Sequence, residues 1–301
     1  MRVTRTAICG CSRRRTARSR RGRTLFAKSS AVCRIITKGA GILLVFETIA
    51  VAFAMFSAVP VPQPVWNEKN MRYALCAFPL VGAVCALVWG GWLALCAWLE
   101  LPQLLRAAGL CVAPVLVTGG IHLDGYADTC DALASCASAE RKQEILKDPN
   151  CGAFALIRVC TYFAAYLGLC AAVRSDVQTM WCMGLAFVLE RALSGLAIAV
   201  FPLAKNTGLA HTFASGADKA AVRRVLILAS VCLATGMIAA GGVSGAAMVI
   251  AAAAAFLRYR HVARTQFGGV SGDLAGWFLQ KAELWMLAAL VIAQIAEGKL
   301  T

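Results

Sequence analysis

Residues 71–99 read MRYALCAFPLVGAVCALVWGGWLALCAWL, and after Arg72 no charged side chain interrupts them until Glu100. As helix, such a run can cross a hydrocarbon layer roughly 30 Å thick, which takes about 20 apolar residues. Windows of the same kind lie at 104–121, 151–173, 178–203, 222–240, 243–257 and 274–296. The break Gly241-Gly242-Val243-Ser244-Gly245 separates two of them and predicts a hairpin of two helices. The whole chain is 301 residues long, 60% apolar and 15% charged, a composition that excludes a soluble globular protein. The expected fold class is all-α: a polytopic membrane helix bundle of about seven spans.

Residues 40–58 form a shorter apolar stretch, interrupted by Glu47 and followed by Pro60-Val61-Pro62-Gln63-Pro64. Positive charge decides whether it crosses. If it does not, seven crossings place 24 Lys and Arg on the side of the N-terminal tail and only Arg106, Arg174 and Lys299 opposite, while Arg158, Arg191 and Lys281 fall inside spans. That asymmetry is the positive-inside pattern of a cytoplasmic face. A crossing at 40–58 would put the tail opposite the other basic segments, so an interfacial N-terminal helix is expected there.

The net charge of +15 belongs mainly to that tail: residues 1–40 hold 12 of the 30 Lys and Arg and none of the 15 Asp and Glu. The division expected is a basic, disordered cytoplasmic tail over 1–40, attracted to anionic lipid, and an integral membrane domain over 41–301. No nucleic-acid partner is expected, because no aromatic residue is interleaved with the Arg run before Phe26. The fourteen Cys are scattered with no C-x-x-C pair, and most lie in apolar runs, where they read as small hydrophobes in a reducing context.

The chemistry concentrates in Gly119-Gly120-Ile121-His122-Leu123-Asp124-Gly125-Tyr126-Ala127-Asp128-Thr129-Cys130-Asp131, directly after an apolar window. On a helix, Asp124, Asp128 and Asp131 lie within about 60° of one another. Three carboxylates on one stripe repel unless a cation sits among them. Mg²⁺ takes oxygen ligands and keeps waters and substrate phosphate oxygens, so the stripe suits a magnesium-pyrophosphate site at a membrane surface. His122 is a candidate general base, or a group that only orients a carboxylate.

Downstream, Lys147-Asp148 opens the turn before the next window. Asp148 could complete a metal shell and Lys147 could meet a phosphate, although the pair could equally be a helix cap. Glu190 and Arg191 sit inside a span, where ionisable groups default to function or pair with each other. Lys205 follows the end of that span, and Gly268-Gly269-Val270-Ser271-Gly272-Asp273 precedes the last one; glycine backbone lets amides approach phosphate. Asp273 and Gln280 share a face of the last helix, with Glu283 and Lys281 at its two edges.

Pro60-Val61-Pro62, Phe78-Pro79-Leu80-Val81-Gly82, the stretch Gly119 to Asp131, Lys147-Asp148 with Gly152-Ala153-Phe154, and Gly268 to Asp273 resemble, in this order, the motifs of the cobalamin synthase (adenosylcobinamide-GDP ribazoletransferase) family. The likeness runs from about residue 46 to about residue 290 and leaves out the tail. It implies a Mg²⁺-dependent enzyme of the bacterial cell membrane with its active site on the cytoplasmic face. The substrates implied are adenosylcobinamide-GDP and α-ribazole or its 5′-phosphate; GMP leaves, and adenosylcobalamin or its 5′-phosphate forms. The site implied has His122, Asp124, Asp128 and Asp131 as catalytic residues and Asp124, Asp128, Asp131 and Asp148 as metal ligands. Lys147, Arg191, Lys205, Asp273 and Glu283 would contact substrate or its phosphates. The chain departs from the family's usual pattern at Ser57-Ala58, where Thr-Arg is common, at Lys205, where Arg is, and at Gln280, where Glu often stands. Two other classes share some of these features. A CDP-alcohol phosphotransferase expects Ala-Arg soon after Asp-Gly, whereas Ala127 is followed by Asp128. A transporter often carries internal repeats, and none is evident.

Overall fold

The computed structural model describes residues 43–64, 66–204 and 209–300, so the basic tail 1–40 lies outside the described residues. They form helices α1 (Leu43–Phe56), α2 (Glu68–Met71), α3 (Ala74–Trp98), α4 (Gln103–Thr118), α5 (Ile121–Ala134) and α6 (Ala139–Ile145). After these come α7 (Ala153–Ala172), α8 (Val177–Val200), α9 (Leu209–Gly216), α10 (Lys219–Gln266) and α11 (Gly272–Leu300). The all-α membrane bundle is as expected. Five helices are long and apolar enough to cross a membrane, or six if α4 and α5 together make one bent span.

The longest, α10, has 48 residues, which would be about 72 Å as a straight rod, more than twice the hydrocarbon thickness. It is not one rod. Gly242 has φ 54° and ψ −123°, outside helical values, and a Cβ on Gly245 would collide with the carbonyl of Met237. Contact between residues eight apart requires the chain to double back, as the glycine break predicts. Counting the two arms separately adds one span. By contrast α1 is about 21 Å long at 1.5 Å per residue, too short to cross. Its first turns leave Leu43, Val45 and Phe46 exposed while Thr48, Val51 and Ala52 are buried, which suits a helix lying in the interface.

Glycine sets how closely the spans approach. A Cβ on Gly82 of α3 would stand against the backbone of Phe187 and Val188 in α8, and one on Gly195 of α8 would stand 3.2 Å from the Leu75 carbonyl. Small residues at crossing points let two backbones meet, the main source of helix association where no hydrophobic drive exists. Trp89, Phe187, Tyr166, Tyr259 and Phe278 fill the core, and Tyr259 stacks on Phe278 at 5.0 Å. The outside is equally apolar: Leu87, Trp98, Leu104, Leu116, Val243 and Ile250 are each more than two-thirds exposed. Such a surface suits lipid and not water.

The ends of the bundle carry its polar clamps. Arg72 pairs with Asp218 at 2.9 Å at one end, and Arg174 with Glu297 at 3.0 Å at the other. At the first of these ends the turn after α8 and the turn before α11 are stitched together. Val270 N–H donates to the Pro202 carbonyl (2.8 Å), and Ala204 N–H to that of Val270 (2.9 Å). Gly269 has no alternative there, since a Cβ would lie about 2.5 Å from the backbone of residues 203 and 204.

Candidate active site

The acidic helix is aimed by a two-glycine turn. Gly119 (φ 65°) and Gly120 (φ 81°) are both left-handed, a conformation glycine adopts freely, and they turn α5 by 95° away from α4. α5 therefore does not lengthen the span that α4 begins. It crosses the near end of α11, where Gly125 faces the backbone of Asp273 and Gly276 faces that of His122. Two glycines on opposite helices thus bring an Asp of α11 up to the Asp stripe of α5.

The result is a ring of carboxylates. Asp128 is half-buried, and Asp124, Asp273 and Asp131 all lie within charge range of it. Burial, followed by these three neighbours, pushes its carboxyl up to about 6. Asp124 is exposed at the first turn of α5. The Asp131 carboxylate occupies the space a Cβ on Gly152 would take, and Gly152 caps the N-terminus of α7. A helix N-terminus favours negative charge, so α7 stabilises this carboxylate against its acidic neighbours.

Asp148 is placed differently. Its Oδ1 accepts from the backbone N–H (2.9 Å) and the Nδ2 (2.8 Å) of Asn150, and these bonds hold its carboxyl below the usual range. Lys147 is exposed on the same turn. Lys205 lies outside the described residues. Among those residues, no group of three His, Cys, Asp or Glu side chains converges closely enough to hold a metal by itself.

Three residues expected at the site point elsewhere. His122 precedes Asp124 by two positions, about 200° around the helix, and is buried against Phe78 and in range of Arg191. Burial, helped by that guanidinium, pulls its imidazole down to about 3, so it is neutral. Arg191 is itself buried: Nη1 donates to Glu190 Oε1 (2.6 Å) and to the Phe187 carbonyl (2.9 Å), and Nη2 to Cys85 Sγ (3.3 Å). Glu283 faces Arg191 and Tyr166. His122, Arg191 and Glu283 therefore form an interior polar seam, and the mutual ion pair of Glu190 with Arg191 is present. The glycine-rich turn before α11 also spends its amides internally, Gly269 on Ala263 (2.8 Å) and Val270 on Pro202.

The resemblance implies a substrate contact for Asp273, and the fold sets its backbone against α5, within charge range of Asp128. The glycines that put it there, Gly125 and Gly276, stand four residues or fewer from His122 and Asp273, and that proximity was the available signal. In class, the molecule is a helical membrane protein with an acidic, oxygen-rich site where a short helix crosses one end of the bundle.

The comparisons make this specific. A family model described as Cobalamin-5-phosphate synthase matches residues 48–291. An adenosylcobinamide-GDP ribazoletransferase of Lachnoclostridium phytofermentans is 42% identical over 248 residues, covering 82% of this chain and 94% of the relative. One of Clostridium botulinum is 29% identical over 240 residues (79% and 94%), and one of Geobacillus thermodenitrificans 29% over 242 (78% and 92%). No solved structure matches. The chain belongs to the cobalamin-5-phosphate synthase family.

Proposed function

We propose that this protein is an adenosylcobinamide-GDP ribazoletransferase that works with Mg²⁺. A secondary ribose hydroxyl oxygen of α-ribazole, or of its 5′-phosphate in which the 5′ oxygen is already esterified, attacks the cobinamide-linked phosphorus of adenosylcobinamide-GDP. A phosphodiester bond forms, the phosphoanhydride bond breaks, GMP leaves with the bridging oxygen, and the hydroxyl proton passes to a base. Products are GMP and adenosylcobalamin or its 5′-phosphate. The single observation that carries the reading is the convergence of Asp124, Asp131 and Asp273 on Asp128 in a family member.

The residues present fit a hard divalent cation. The donors are all carboxylate oxygens, and Mg²⁺ uses one or two carboxylates and fills its remaining positions with water and phosphate. One or two of Asp124, Asp128 and Asp131 would hold it together with waters and phosphate oxygens, with Asp273 beside them and Asp148 as a further candidate ligand. Bound there, Mg²⁺ supplies neutralisation of charge on the phosphates. The chain's own residues do the rest. The ring excludes a free anion from approaching unless cations accompany it. Without metal, burial and the three neighbouring carboxylates raise the Asp128 carboxyl to about 6, a repulsion that a cation held there would relieve. His122, neutral and turned inward, positions the start of α5 against Phe78. Lys147 and Lys205 supply positive charge for the phosphates.

The membrane in question is the bacterial cell membrane, with the site on the cytoplasmic face; the 24 to 3 distribution of Lys and Arg supports that orientation. The test is GMP release by detergent-solubilised protein given adenosylcobinamide-GDP and α-ribazole, with Mg²⁺ and with chelator. Metal-dependent release accompanied by the cobalamin product is expected. Release that is equal with and without chelator would remove the metal from the mechanism.

A further inference from the structure

On the other side of α5 from the acidic stripe, a cleft of about 450 Å³ opens between α5, α7, the second arm of α10, and α11. Its polar lining is basic: Arg158 from α7, Arg258 and His261 from α10, and Lys281 from α11, with the Thr265 hydroxyl and the Trp277 ring between them. No Asp or Glu lines it. Among the described residues, none of the three permanent cations has an ion-pair partner. Arg158 and Arg258 both lie within charge range of Lys281, whose ammonium sits 5.6 Å over the Tyr126 ring.

A ring face compensates one cation weakly and leaves the others uncompensated. The neighbourhood makes that costly. Leu156 and Ile157, next to Arg158, and Leu257, next to Arg258, are 61%, 57% and 63% exposed on what is otherwise a lipid-facing surface. Arg158 and Lys281, which fall inside spans, are expensive there and normally find partners. At the rim, Lys142 brings one more positive charge, its Nζ donating to Gln266 Oε1 at 2.6 Å.

Converging cations from three helices, a hydroxyl and no carboxylate define a site for a ligand rich in anionic oxygen. We propose that this cleft binds a phosphate group, either that of an anionic phospholipid headgroup or that of a soluble diphosphate. The volume admits either, and the two guanidinium groups offer the forked donors that phosphate oxygens accept. The cleft shares no lining residue with those assigned to the transfer reaction.

The test uses the full-length protein in an uncharged detergent without Mg²⁺. Calorimetric titrations are run with dihexanoyl phosphatidylglycerol in one arm and with sodium pyrophosphate in the other. At least one probe binds the wild-type protein, and the arm that binds identifies the source of the phosphate. Arg158→Gln/Arg258→Gln weakens that binding by at least about tenfold, because each charge-assisted contact is worth more than a neutral one. Arg223→Gln/Arg224→Gln, which removes the same charge from exposed positions on the first arm of α10, leaves it unchanged. Absence of binding in both arms, or equal weakening by the two double variants, overturns the proposal. If the cleft double variant does not elute as the wild type does, Lys281→Met replaces it under the same criteria.

Discussion

The backbone of Asp273 lies 2.8 Å from the point where a Cβ on Gly125 would stand, and this approach is what adds a fourth carboxylate to the stripe on α5. Gly276 repeats it three residues on, 2.7 Å from the His122 carbonyl in the same sense. Neither distance leaves room for a methyl group beside backbone, which cannot swing away as a side chain can.

Gly125→Ala is therefore expected to push α11 off α5. Overpacking of this kind costs about 1–3 kcal/mol. The melting midpoint in detergent should fall, and metal-dependent turnover should fall further than the midpoint alone explains, because the ring loses Asp273. A variant with wild-type melting and turnover would show that the close approach does not matter.

Asp128→Asn keeps the shape of the side chain and removes its charge and its proton-accepting capacity. Turnover at limiting Mg²⁺ should drop by at least about tenfold, because the cation is held less tightly and the phosphate charge is less well neutralised. GMP release under initial-rate conditions checks this, and wild-type turnover would sink the role given to Asp128.

The raised carboxyl of Asp128 also sets a pH dependence of stability in the metal-free protein. Its folded value, about 6, lies above the ordinary 3.8, so the folded state holds the proton more tightly. The stabilisation is complete below about 4 and is lost as pH rises through about 6. In chelator, the melting midpoint should decline between pH 4 and pH 7, and Asp128→Asn should flatten that decline. Added Mg²⁺ should restore the midpoint at pH 7, where the carboxylates are ionised and ready to bind it.

Glu190 and Arg191 test the interior seam. Arg191→Met leaves the Glu190 carboxylate buried without its partner, which costs about 3–5 kcal/mol. Glu190→Gln/Arg191→Met should recover much of that loss. Thermal melts of the two variants separate this structural role from a phosphate contact, which predicts a changed KM at wild-type stability.

Much of the site was legible because its parts are local. Asp124, Asp128 and Asp131 share a stripe through helical periodicity alone, and the Gly119-Gly120 pair marks the turn that frees α5 from α4. For Asp148 and Lys147 the sequence leaves a metal or phosphate role and a helix cap open. An Asx-type turn onto Asn150 competes for the Asp148 carboxylate, and a turn residue carries no periodicity to say which way it faces. Arg158 and Lys281 gave a signal by interrupting apolar spans, but nothing in the linear order says that they meet Arg258 at one cleft.

The sequence by itself determined the all-α membrane class, the reversal at Gly242, the acidic stripe and the family, because each depends on composition or on neighbours a few positions away. Only the tertiary structure decided that Asp273 stands with Asp128, that His122, Arg191 and Glu283 turn inward, and that the basic groups gather on the far side of α5. Those outcomes depend on which glycine meets which backbone across helices as much as 150 residues apart in the chain, and on the cost of leaving a charge unpaired between packed spans.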